Sequence, residues 1–190
     1  MTEEQLYNKI IEIKEQLHHL EKTYWEMSTG FDTWRFWFLL GSLIIPLVFL
    51  YFTVDRKRLF EISFFGFTIH ILWANTDQVL THLNYFSYPH SFTYILPTGI
   101  TSTTVLFPIV FMLVYQHCIK KEKNIFIYIA LLNLVFAFAM GPLYVSLGFL
   151  EMNKGMNYVF LYLIDVITVS LAFVFVKLFK IMKQDWKADQ

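Results

Sequence analysis

The 190-residue chain is 56% hydrophobic and 19% aromatic, with a mean hydropathy of +0.49. That is too apolar for an ordinary soluble domain of this size; fifteen basic residues cancel fifteen acidic ones, so net charge says nothing about partners, and nothing suggests nucleic-acid binding. The lone cysteine, Cys118, excludes an intramolecular disulfide and reads as a small buried side chain, not a reactive thiol.

The chain opens MTEEQLYNKIIEIKEQ, charged and acidic. It has no basic n-region or small-residue cleavage site, so the first apolar span is expected to direct insertion itself. Thr2 followed by Glu3, Glu4 and Gln5 marks a helix start. Leu6, Ile10, Ile13, Leu17, Leu20 and Tyr24 then recur at spacings of 4, 3, 4, 3 and 4, an a/d seam of nearly three heptads. Two readings stay open for residues 1–30. The segment is a short parallel coiled coil joining copies of the chain, or an amphipathic helix lying on the membrane or on its own bundle.

Five apolar runs follow, at about 34–53, 59–78, 97–118, 124–147 and 156–179, inside a bundle of 31–182. Each approaches the roughly 20 residues needed to cross a hydrocarbon core of about 30 Å. Pro46, Pro108 and Pro142 fall inside three of them. Neighbouring helices can satisfy the carbonyl that a proline frees, so kinks are expected there and not breaks. The expected fold is all-α: a polytopic membrane protein of five transmembrane helices, preceded by the amphipathic N-terminal helix and followed by a tail at 183–190.

Loop charge orients the bundle. DRKR (Asp55–Arg58), KKEK (Lys120–Lys123) and the lysines 177, 180, 183 and 187 hold ten of the fifteen basic residues. Cytoplasmic loops are enriched in Lys and Arg. These three regions are therefore expected in the cytoplasm, with a multi-pass chain in the cell membrane, its N-terminus outside and its C-terminus inside. Seven acidic and three basic residues precede Arg35, which suits translocation of the first helix. Trp25, Trp34, Trp37, Tyr85, Phe86, Tyr88, Phe92 and Tyr94 form an expected outer aromatic belt, with Trp186 on the inner side. The stretch NYFSYPHSFTY reads as an interfacial loop along the outer surface.

The second span carries the chain's most unusual pattern. Ser63, His70, Asp77 and Asn84 recur every seven residues, with Thr81 beside them. A charged group at the bilayer centre costs about 2.5–3.5 kcal/mol on insertion scales, so this stripe should face the bundle interior. Counting at 1.5 Å per residue puts His70 about 16 Å from the inner edge and Asp165 about 13 Å from the outer edge. Asn133 in the fourth span and Ser42 in the first fall near the same level. A polar layer of His70, Asp77, Asp165, Asn133 and Thr81 is expected, with His70 and Asp165 as partners. Such a layer either holds helices together by hydrogen bonds or carries protons or ions.

Other chemistry finds little support. His82 and His90 have only Asp77 as a nearby third ligand for a metal. No P-loop, GxGxxG, HExxH, CxxC or GxSxG pattern occurs, and no cofactor is expected. No lysine lies deep in a span, which excludes a retinal Schiff base.

Several segments in order carry a family resemblance. TYW (Thr23–Trp25), FDTWRFWFLL (Phe31–Leu40) with Pro46, DRKR, Asp77, Thr81, the aromatic-YP at Phe86–Pro89, FPIVFMLVYQ (Phe107–Gln116) and FAFAMGPLYVSLGF (Phe136–Phe149) follow one another at fitting spacings. From about Thr23 to Ala172 the chain resembles a family of small multi-pass membrane proteins from spore-forming Firmicutes, known by a Clostridium botulinum locus name. The resemblance implies a five-helix membrane protein of unassigned activity. It also marks two departures: Thr103 and Gly141 stand where that family carries acids ahead of the prolines of spans three and four. The function expected is a non-enzymatic scaffold, sensor or accessory subunit; the alternative is a small proton- or ion-coupled transporter or channel.

Overall fold

A computed structural model describes residues 1–95, 99 and 102–188, with the backbone alone at 102, 103 and 183–188. The expected start of the third span at Pro97 lies outside the described residues, as do the side chains of Thr103, Lys183, Trp186 and Lys187 and the last two residues of the tail.

Among the described residues the chain is helical nearly throughout. Helix α1 (Glu3–Ser28) starts at the expected place. Thr2 Oγ1 accepts from the Gln5 N–H at 3.2 Å and Gln5 Oε1 accepts from the Thr2 N–H at 3.0 Å, a reciprocal capping box. Helix α2 (Trp34–Thr53) is capped by Thr33 and carries Pro46 without interruption. Helix α3 spans Leu59–His82, four residues beyond the span expected from hydropathy. Helix α4 (Phe107–Lys121) is entered through a π turn at Ser102–Leu106. Helix α5 (Ile125–Ser146) contains a second π turn at Phe136–Met140, and α6 runs over Tyr158–Ala188. Three helices are long and apolar enough to cross a membrane: α2, α5 and the Tyr158–Met182 part of α6.

The two π turns share a cause. Each ends two residues before a proline, at Leu106 ahead of Pro108 and at Met140 ahead of Pro142. Proline removes an N–H and presses its ring on the carbonyl four residues back. A widened turn absorbs that clash without breaking the helix.

Helix α3 is central. Ile62, Phe65, Ile69 and Trp73 are at most 3% exposed and belong to one core cluster with Phe107, Phe111 and Tyr115 of α4 and Val169, Ala172 and Val176 of α6. A side chain on Gly66 would begin 2.3 Å from Met112 Sδ, so the Met112 side chain packs into the space that glycine leaves on α3. Cys118 is buried, as expected.

The connections gather at two ends. At the lysine-rich end Lys120 pairs with Asp55 at 3.1 Å and Lys180 with Glu61 at 2.6 Å, which brings the DRKR turn, the KKEK turn and the end of α6 together. The Lys120 ammonium holds the Asp55 carboxyl below its ordinary range. Gln116 braces this end, accepting from the Asp55 N–H at 2.6 Å and donating to the Thr53 carbonyl at 3.1 Å.

At the opposite end the NYFSYPHSFTY loop is tied to the turn after α5. Strand β1 (Phe86–Ser87) pairs antiparallel with β2 (Glu151–Met152), the Asn153 N–H donates to the Tyr85 carbonyl at 2.8 Å, and Lys154 Nζ donates to the Leu83 carbonyl at 2.6 Å. Phe86 and Phe149 are 1% and 2% exposed beneath this cap. The C-terminal end of α1 docks on it. Trp25 Nε1 donates to the Ser91 carbonyl at 3.1 Å, and the rings of His18 and Trp25 lie 5.5 and 5.8 Å from Tyr94.

Candidate functional site

The buried face of α3 is Ile62, Phe65, Gly66, Ile69, Trp73 and Asp77. A seven-residue repeat drifts by about 20° per heptad around a straight α-helix. The stripe Ser63, His70, Asp77 therefore rotates slowly: Asp77 lands inside the buried face and His70 at its edge. Asn84 lies past the last helical residue, exposed and in the left-handed region at φ 55.

His70 does not pair with Asp165, contrary to expectation. Its Nδ1 lies 2.9 Å from the Thr104 carbonyl. A carbonyl only accepts, so Nδ1 carries the proton and donates. Thr104 stands four residues before Pro108, which has no N–H to give its carbonyl. His70 donates to that carbonyl from α3. Direction around α3 decides the partner.

Asp77, 2% exposed, accepts a short hydrogen bond from the Tyr88 hydroxyl and another from the Gly99 backbone N–H. Burial, then the Asp77 carboxylate, push the Tyr88 phenol well above its ordinary range, so it remains a donor. The cap is thus latched down onto α3 through its own tyrosine.

Asp165 is also 2% exposed, and its Oδ1 has no hydrogen-bond partner among the described residues. It lines a cavity of about 70 Å³ whose walls include Trp73, Tyr88, Phe107 and Tyr144. Leu106 closes the first π turn and Phe136 and Met140 belong to the second; all three line the same cavity. The two widened turns thus both open onto it, next to the buried acid.

The expected five-residue layer is divided. Asp77 and Asp165 meet around Tyr88, which bonds one and shares a cavity wall with the other. Asn133 is fully buried with neither amide atom partnered among the described residues, and Thr81 Oγ1 is likewise unpartnered, but neither lines the cavity. His82 is exposed, whereas His90 Nδ1 lies 3.3 Å from Thr29 Oγ1, so Asp77, His82 and His90 serve separate ends. Two groups escaped the sequence reading. Tyr88 looked like any belt aromatic; an aromatic-YP turn following a buried acid is the only signal that marks it. The cluster in which Tyr115 Oη donates to Glu61 Oε1 at 2.5 Å while Lys180 pairs with the same carboxylate was signalled by the acid at the start of span two.

Compared with models of protein families, with curated proteins and with solved structures, the chain matches none.

Proposed function

We propose that the chain is a five-span integral membrane protein, α2 to α6, with α1 outside the cell membrane and the C-terminus cytoplasmic, and that it acts as a non-enzymatic sensor or accessory subunit. We place it in the Firmicute multi-pass family that its sequence resembles. The gathering of three basic segments at one end of the bundle supports this orientation. The polar side chains of α3 that turn inward or find partners support counting it as a span despite its lower apolar content.

One observation carries the sensor reading: a buried carboxyl with a free oxygen faces an aromatic cavity beneath a latched cap. A carboxylate in a cavity lined by Trp73, Tyr88 and Tyr144 suits a small organic cation, which gains charge pairing there and cation–π attraction where it meets a ring face. At about 70 Å³ the cavity has roughly half the volume of the ~150 Å³ cavity that takes benzene, so the ligand has few heavy atoms. Gly141, at a position where the resembling family carries an acid, lines this cavity and leaves Asp165 as its carboxylate.

Thermal unfolding of the purified full-length protein with methylammonium chloride, against equal sodium chloride, tests the assignment. Saturable stabilisation of the wild type that disappears in Asp165→Asn is expected. An identical response to both salts removes the cation-binding role, and an amino-terminal reporter found in the cytosol removes the orientation.

Proton- or ion-coupled transport is less well supported. His70 is committed to Thr104, and Asn133, though fully buried, does not line the cavity beside Asp165. The exposed seam of α1, Leu6, Ile10, Ile13, Leu17 and Leu20, supports pairing with a second copy of the chain. Crosslinking that gives the same subunit state after Ile10→Lys and Leu17→Lys would discard the coiled-coil role.

A further inference from the structure

A second cavity, of about 320 Å³, opens at the lysine-rich end between α4, α5 and α6. Lys123, Lys177 and Lys180 all line it, as does Glu122. Its remaining wall includes Tyr115, Ile119, Ile125 and Phe173, so cationic groups and apolar surface share one concave site.

The charges do not cancel within the protein. Lys180 is held by Glu61 at 2.6 Å, while Lys123 and Lys177 make no ion pair among the described residues. Three ammonium groups against the carboxylates of Glu122 and Glu61 leave one positive charge over. Ile125 is the first residue of α5, so the partially positive N-terminal end of that helix also meets the cavity. Asn124 satisfies only one of the free amides there, that of Phe126, at 3.0 Å.

We propose that this cavity holds the phosphodiester headgroup of an anionic membrane lipid. A single phosphodiester carries the one negative charge needed to balance the site, and the apolar wall accommodates the start of the acyl chains. Basic pockets between helices at the cytoplasmic end of a bundle bind anionic headgroups by this combination. The apolar wall favours a lipid over free phosphate, which would use the lysines and leave Ile119, Ile125 and Phe173 bare.

Full-length protein is reconstituted in vesicles of phosphatidylglycerol and phosphatidylcholine in equal amounts, re-extracted in mild detergent, and its retained lipid measured by mass spectrometry. The wild type is expected to retain phosphatidylglycerol selectively. Lys123→Gln with Lys177→Gln should lower that preference about tenfold, whereas Lys57→Gln, at the same end outside the cavity, should leave it intact. Lys123→Arg with Lys177→Arg keeps the charge and should keep the preference, a check that does not depend on the neutral variant folding. No preference in the wild type, an unchanged preference in the Gln variant, or an equal loss in Lys57→Gln each overturns the proposal. So does displacement of the lipid by inorganic phosphate, which would make the site one for the free ion.

Discussion

The hydrogen bond from His70 to the Thr104 carbonyl makes a testable claim about why a histidine sits in the second span. Replacing His70 by Phe keeps a ring of similar size and removes the donor. The bond is 2.9 Å long, and Pro108, four residues beyond its acceptor, has no N–H to give the same carbonyl. A net hydrogen bond in a protein is worth about 0.5–1.5 kcal/mol, and interhelical polar bonds in bilayers average about 0.6 with a maximum near 1.7. His70 is half-buried within the second span, and a loss of about 1 kcal/mol, inside that range, is expected. Pro108→Ala changes the outcome. An alanine N–H at 108 can bond to the same carbonyl, so in that background His70→Phe should cost close to nothing. The coupling between the two sites should therefore be about 1 kcal/mol. Reversible unfolding of the four proteins in mixed detergent micelles measures it. Equal costs of His70→Phe in both backgrounds would refute the reasoning. In the same assay His70→Phe and Asp165→Asn should add within about 0.5 kcal/mol, because the two side chains share no partner.

Two further perturbations follow from the packing and the cap. Gly66→Val should destabilise the bundle by about 1–3 kcal/mol through overpacking against Met112, with most of the loss recovered by Met112→Ala; no recovery would place the conflict elsewhere. The second concerns pH. Burial, and then the Arg35 guanidinium, hold His90 below its ordinary value of 6.5, while Glu151 opposes them. A histidine with a lowered folded-state pKa binds fewer protons folded than unfolded, so its stability contribution is complete above 6.5 and is lost as pH falls through the folded value. Protease cleavage within α1, followed from pH 8 to pH 5, should accelerate below about 6.5 in the wild type and less so in His90→Gln; matching profiles would clear His90 of the effect.

Much of the architecture was legible in the chain. Helix periodicity, the Thr2 cap, the kinked prolines and the basic clusters follow from local chemistry: hydropathy, missing N–H groups and charge are properties of each segment alone. The candidate site was legible only in part. Asp77 and Asp165 were singled out because a buried carboxylate is costly anywhere in an apolar run. Asn133 was named because it falls near the same level; it is buried, yet it does not line the cavity.

What the amino-acid order determined by itself was the all-helical character of the chain, helices apolar enough to cross a membrane, and the basic segments that gather at one end. Tertiary structure alone decided who meets whom. A seven-residue repeat and depth along a helix are one-dimensional quantities, and they put His70 level with Asp165. The angle around α3 sent His70 instead to the Thr104 carbonyl, and strand pairing between β1 and β2 lowered Tyr88 onto Asp77. The cavity beside Asp165 exists because two proline-induced widened turns face the same point, a coincidence of orientation between helices that no single helix encodes.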